Sequence, residues 1–491
     1  MKKLISILTV VLILCGSMLS VSAESVVPYQ NYTYSESGNI ILSPQAYLPE
    51  QIIYGDTLGV GDFNLPTDMD VDENGDIYIL DSGNNRVVVA TKDLTFKTQY
   101  QCNSVEADGS LMPTAGPKGI TVANGYIYIS DTENKRILML DKNTGAYIKS
   151  YLAPVSQVLA DNFIFAPLKT SVDEEGNLYV VSQGTYEGLL NINANGEFLG
   201  FFASNKVTAD AWTLFWRRFS TVEQRKQMDQ LIPQDFSSID IDSNGFFFVT
   251  TSTAKSDKMV KRVNMGGNNV IRTLSTATGM GDPKAVNYGS FKGKSSFTDV
   301  SAGPYKLYAC LDSNRGKVYV YNYDGYLLYT FGTIAEQDGA FTAPIAVSYL
   351  NDDRIAVLDS THASITVFNT TEYARLINEA VEYQNVLAYD KALGVWQQVL
   401  EYNEHYEIAL NLIGNAYYNS GRYDEAMECF DKTGNKDMYS QVKKEIRSQW
   451  IYDNSWLFVA AILLIVAFNL IKWIIKLVHR WKNRYTYISR E

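Results

Sequence analysis

The 491-residue chain carries 42 lysines and arginines against 54 aspartates and glutamates, a formal charge of −12, and 46% of its residues are hydrophobic. That length accommodates several domains, and the acidic balance excludes nucleic acid and anionic lipid headgroups as partners of the bulk of the chain. Of three histidines only His362 lies before residue 371, which excludes a histidine-based metal cluster there, and four scattered cysteines exclude a disulfide scaffold.

Residues 1–23 place Lys2 and Lys3 before an apolar run from Leu4 to Leu14 and end on Val21-Ser22-Ala23. This pattern predicts a cleavable secretory signal peptide, so the bulk of the chain after residue 23 is expected outside the cytoplasm.

From Pro66 the chain repeats a unit. Pro66 to Asp81 reads as two alternating strands around an Asn74-Gly75 turn, Asp81 to Arg86 as the next turn, and Val87 to Ala90 as a third strand. The unit returns at Pro117–Asp131, at Pro167–Ser182, in a copy ending at Thr251, at Phe297–Asp312 and at Pro344–Asp359. The turn positions Asp81, Asp131, Ser182, Thr251, Asp312 and Asp359 lie 50, 51, 69, 61 and 47 residues apart, about one four-stranded blade each plus insertions. Antiparallel units of that size predict radial repetition around a channel. A Gly-rich loop, a proline, an apolar strand, a Gly-x-Ile-Tyr strand and an Asp-x-x-x-x-Arg turn, recurring in that order over roughly residues 46–370, resemble the NHL-repeat family. The resemblance implies a six-bladed β-propeller spanning 24–370. Leu48–Gly55 before the first copy occupies the place of Leu327–Gly332 before the sixth, so the N-terminal strand is expected to complete the last blade and remove the open sheet edges.

Alignment of the copies predicts two layers on the innermost strands. One holds Asp70, Thr121, Ser171, Asp240, Ser301 and Ser348; the other, two residues earlier, holds Asp68, Gly119, Lys169, Ser238, Asp299 and Ala346. Short polar side chains here either satisfy backbone donors of neighbouring blades or, in the case of Asp68, Asp70, Lys169, Asp240 and Asp299, form a small-ligand site suited to Ca²⁺. Gluconolactonase-like propellers, by resemblance, use such a site for lactone hydrolysis. The Asp81/Arg86 and Asp131/Arg136 turns recur in register with the blades and read as turn caps and inter-blade ion pairs.

An insertion over about 209–231 places Trp212, Phe215, Trp216 and Phe219 at i, i+3, i+4 and i+7, one face of a helix, with Arg217 and Arg218 on the other. This face is expected to pack on the propeller rim or to dock a partner.

After Asn369 the period becomes helical. Ala380, Tyr383, Tyr389, Ala392 and Trp396 return 34 residues later as Gly414, Tyr417, Tyr423, Ala426 and Phe430, a spacing that resembles tetratricopeptide repeats within 371–450. Residues 456–478 are apolar apart from Asn469, Lys472 and Lys476 and long enough for one transmembrane helix. The tail 479–491 carries Arg480, Lys482, Arg484 and Arg490 and is expected on the cytoplasmic side of the cell membrane. Tail and leader are net basic, which leaves −19 on residues 24–471.

The fold class expected is therefore mainly β: a six-bladed NHL-type β-propeller, a short α-helical repeat segment and one transmembrane helix. Two functions fit. One is a non-enzymatic extracytoplasmic scaffold that engages a protein or carbohydrate partner; the other is a Ca²⁺-dependent lactonase on the same fold. No His-Glu-x-x-His and no Gly-x-Ser-x-Gly motif occurs.

Overall fold

Strand runs mostly of four to six residues, punctuated by turns at which glycine takes a left-handed backbone, pair with their sequence neighbours in every blade but the last, whose outer strand comes from the N-terminal side. Gly75, with φ of 83°, ends the first such run. The computed structural model describes residues 27–35, 38–159, 163–203, 235–251, 259–271, 280–282, 295–350 and 353–488. Within these, the pattern folds into six antiparallel meanders around one axis, a six-bladed β-propeller. The first blade orders Asp68–Val71, Ile77–Asp81, Arg86–Ala90 and Phe96–Gln101 from inside outward. The other innermost strands are Gly119–Ala123, Pro167–Val172, Phe236–Ile241, Phe297–Ala302 and Pro344–Tyr349, and successive ones lie side by side until the sixth meets the first.

The ring closes as the sequence predicted. Tyr47–Tyr54 pairs antiparallel with Ser364–Thr370 as the outer strand of the sixth blade, with Ile53 opposite Ile365. A chain segment from the N-terminus thus finishes a sheet begun some 300 residues later. An additional hairpin, Asn31–Tyr34 with Ile40–Ser43, lies along the outer strand of the fifth blade, where Thr33 Oγ1 donates to the Leu327 carbonyl (3.1 Å) and Tyr32 Oη donates to Asp282 (2.8 Å).

Because both faces of every sheet meet another sheet, the hydrophobic core sits between blades rather than at the axis. Leu80, Val87 and Val89 of the first blade pack on Ile120, Ile129 and Leu138 of the second. Similar layers join the next blades around the ring.

The Asp-x-x-x-x-Arg turns require a correction. Asp81 and Arg86 face each other within one hairpin, and the Arg86 Nε to Asp81 Oδ2 pair (2.7 Å) is internal to the first blade. What crosses to the neighbour is the rest of the guanidinium: Arg86 Nη1 donates to the Val60 carbonyl (2.7 Å), in the loop arriving from the sixth blade. Arg136 repeats this, pairing with Asp131 in its own hairpin and donating to Ser104 Oγ (2.7 Å) in the connection from the first blade. A buried guanidinium has more donors than one carboxylate accepts, and the incoming loop supplies the remainder.

Six helices come after the propeller: α1 Glu372–Asn385, α2 Tyr389–Tyr402, α3 Glu407–Asn419, α4 Tyr423–Thr433, α5 Lys436–Asp453 and α6 Ser455–Ile488. The chain divides into two compact units, Met1–Ile408 and Ala409–Glu491, so α1 and α2 belong with the propeller. In the first unit Tyr329 Oη donates to Asn378 Oδ1 (2.7 Å) and Tyr406 Oη donates to the Leu328 carbonyl (2.6 Å), tying the helical pair to the fifth blade. In the second unit Ala426, Phe430 and Val442 form a small core between α4 and α5. A Cβ on Gly414 would come within 2.8 Å of the Phe430 ring, so α3 and α4 meet where a side chain is missing. Ser455–Trp481, whose most apolar 18-residue stretch has a mean hydropathy of 2.5, is helical, long and apolar enough to cross a membrane.

Candidate functional site

The two polar layers predicted from the repeats converge at the axis. A cavity of about 40 Å³ is lined by Asp70, Thr121, Ser171, Asp240, Ser301 and Ser348, together with Lys169 and Asp299 of the second layer. An innermost strand is a sheet edge, and its outward N–H groups need acceptors. The preceding blade provides them. Asp68 and Asp70 of the first blade accept from the Ile120 and Val122 N–H groups of the second (2.8 and 2.7 Å). Asp240 accepts from the Ala302 N–H (2.7 Å) and Asp299 from the Val347 N–H (2.8 Å). Ser301 Oγ accepts from the Tyr349 N–H (3.0 Å), and Thr121 Oγ1 donates to the Thr170 carbonyl.

In the second layer charged and small residues alternate around the ring. Asp68, Lys169 and Asp299 come from the first, third and fifth blades, and Gly119, Ser238 and Ala346 from those between. Lys169 Nζ pairs with Asp68 and with Asp299 Oδ1 (3.1 Å), while Ser238 Oγ donates to Asp299 Oδ1 (2.6 Å). One largely buried ammonium therefore joins blades on three sides of the channel. A Cβ at Gly119 would lie 2.4 Å from the Leu168 carbonyl oxygen, so this position must stay bare for the second and third blades to approach.

Burial dominates the electrostatics. It pushes the Asp70 carboxyl up to about 7, assisted by Asp240 across the axis, and the Asp240 carboxyl up to about 6. The Asp68 carboxyl is also raised, because burial outweighs the attraction of Lys169. Burial works against the Lys169 ammonium, but the Asp299 and Asp68 charges overcome it and hold its pKa above the usual lysine value.

As to chemistry, the cavity has room for about three waters at roughly 10–15 Å³ each, not for an organic substrate, which needs roughly 300 Å³ or more. Among the described residues no group of three or more His, Cys, Asp or Glu side chains is arranged to hold a metal ion. The five predicted ligand residues are thus brought together, but Lys169 is a cation, the oxygens of the four aspartates accept from backbone donors, Ser238 or Lys169, and the set does not fit Ca²⁺, which takes six to eight oxygens. Trp212, Phe215, Trp216, Phe219, Arg217 and Arg218 lie outside the described residues.

Two arrangements were not anticipated. Asp282, between Tyr32, Tyr34 and Arg315 (Nη1 at 3.1 Å), anchors the N-terminal hairpin. Arg315 stands two residues before Lys317, which takes the place of Arg86 and Arg136 opposite Asp312; the nearby arginine was the available signal. The other is a polar cleft between the first two blades, lined by Asp72, Glu73, Lys97, Tyr100 and Lys142. Its residues come from different blades and share no repeat position.

Two repeat families are matched within this architecture. An NHL repeat is matched over residues 63–90 and a tetratricopeptide repeat over 408–433. NHL repeat-containing protein 2 of Gallus gallus is 32% identical over 93 residues, 18% of this chain and only 13% of that protein. Among solved structures, virginiamycin B lyase from Staphylococcus aureus is 12% identical with a TM-score of 0.40, covering 66% of this chain and 100% of that one. Hydrazine synthase of Kuenenia stuttgartiensis is 11% identical with a TM-score of 0.39, covering 64% and 97%. At these values no residue role carries across.

Proposed function

We propose that this chain is a non-enzymatic binding scaffold held at the cell membrane by α6, with its propeller and helical repeats outside the cytoplasm engaging a partner of the cell envelope. The observation that carries this reading is the state of the axis. Its carboxylates are spent on holding blades together, and a cavity of about 40 Å³ leaves no space for a substrate. What the fold offers instead is surface, on a closed ring and on a helical repeat, both of which serve association in other proteins. The leader at 1–23, the span at 456–478 and the basic tail support the placement.

The test is capture. Cells expressing the full chain with a C-terminal tag are treated with a membrane-impermeant amine crosslinker, and the purified product is resolved by mass spectrometry. A discrete envelope protein is expected in the adduct, and the purified chain is expected to leave γ-butyrolactone intact. An adduct holding nothing above background, together with lactone turnover, would overturn the reading.

A further inference from the structure

A cleft of about 350 Å³, far larger than the axial cavity, opens between the first and second blades. Its walls are the outer strand Phe96–Gln101, the Asp72–Asp76 turn of the first blade, and the turn carrying Lys142 in the second. Lys142 Nζ reaches across to Asp72 Oδ2 (3.0 Å) and Glu73 Oε1 (2.5 Å), and Lys97 Nζ pairs with Asp76. Position separates these charges into two kinds. The side chains of Asp72 and Lys142 are 1% and 9% exposed and form a fixed floor; those of Glu73 and Lys97 are 73% and 48% exposed and form the rim. The Tyr100 ring stands between, its hydroxyl donating to the Asn143 carbonyl (2.9 Å) and so fixed in place.

We propose that this cleft binds a neutral carbohydrate about two sugar units long, with Glu73, Lys97 and Asn143 meeting its hydroxyls. The volume falls at the small end of ligand pockets, which run from roughly 300 to 1,000 Å³. Charge selects neutrality. Every cation in the cleft faces a carboxylate, so an anionic ligand meets excess acid and a cationic one competes with two lysines already in place. A hydroxyl donates to a carboxylate with its hydrogen and accepts from an ammonium with its oxygen, and so inserts into an ion pair without leaving either charge alone. Each rim pair keeps one partner at the surface, so a hydroxyl can take over that contact without leaving the buried partner alone. The partly exposed ring of Tyr100, backed by the buried Tyr78 and Val89, gives the apolar C–H face of a sugar something to lie against.

This inference rests on the binding reading above and supplies a ligand class and a place for it. The full chain, purified in a detergent without a sugar headgroup, is mixed with cellobiose, maltose or N,N′-diacetylchitobiose as probes, and saturation transfer to the sugar is followed by NMR. At least one probe is expected to bind in the millimolar range, with glucuronic acid and glucosamine at least about tenfold weaker. Thr98→Trp, which fills the cleft, is expected to abolish transfer, and Glu73→Ala to weaken binding about tenfold at unchanged melting temperature. Glu73 is mostly exposed, so it decides the matter if the tryptophan variant folds poorly. Absence of transfer from all three probes, equal binding of the charged sugars, or undiminished binding by Glu73→Ala would overturn the proposal. Partner capture in crosslinked cells is measured separately and stands or falls without the sugar.

Discussion

Lys169 is a largely buried cation, its side chain 16% exposed, shared by Asp68 and Asp299, and its removal would leave two carboxylates in the ring without a counter-charge. Breaking a buried pair from one side costs about 3–5 kcal/mol, more than the pair itself contributes. Lys169→Met is therefore expected to lower the urea midpoint of the full chain sharply, and adding Asp68→Asn to restore part of it. A single Lys169→Met variant as stable as the parent would show that water compensates the carboxylates. Asp70 and Asp240 make a second prediction, on pH. A carboxyl whose pKa is higher in the fold than in the unfolded chain keeps its proton longer when folded. Its stabilisation is present below the unfolded value near 4 and lost as pH rises through about 6 to 7. The melting temperature should fall between about pH 5 and pH 7.5, and fall less in Asp70→Asn. Lys317, pulled down to about 8 by burial, acts with the opposite sign but only above that window. A melting temperature that rises over this range, equally in both proteins, would contradict the assignment.

At the scale of elements, what the repeats make legible is pairing. Alternation and turn spacing identified the inner strands, and the strand before copy one was recognisable as a blade's outer strand because it matched its counterpart before copy six. The helical pair was legible through a 34-residue shift that moves one set of packing residues onto the next: Ala392 and Trp396, then Ala426 and Phe430, are all fully buried. Gly414 takes the place of Ala380 in that shift, at the closest approach of α3 to α4. Gly414→Leu should force the two helices apart and lose helical signal at lower temperature than the parent by circular dichroism, while Gly394→Leu, whose Cβ direction is open, should not. Equal melting of the two would remove the tetratricopeptide-like contact.

At the scale of the whole molecule, charge asymmetry predicts an orientation. The basic residues after the apolar span 456–478 and the acidic bulk before it lead us to expect that protease added to intact cells degrades residues 24–450 and spares a tag placed after Glu491. A tag digested from outside would reverse the topology. The sequence by itself determined the number of blades, the strand that closes them and the residues that meet at the axis, because each depends on periodicity, which one chain displays along its length, and it determined the helix fit for a membrane through the length of one apolar run. Only the tertiary structure decided what those residues do. Whether Asp70 faces a ligand or an N–H of the next blade, whether Arg86 pairs across blades or within one, and whether Lys97 and Lys142 frame a cleft depend on which edges the ring brings together, and the packing of one blade on the next is not periodic in any single blade's sequence.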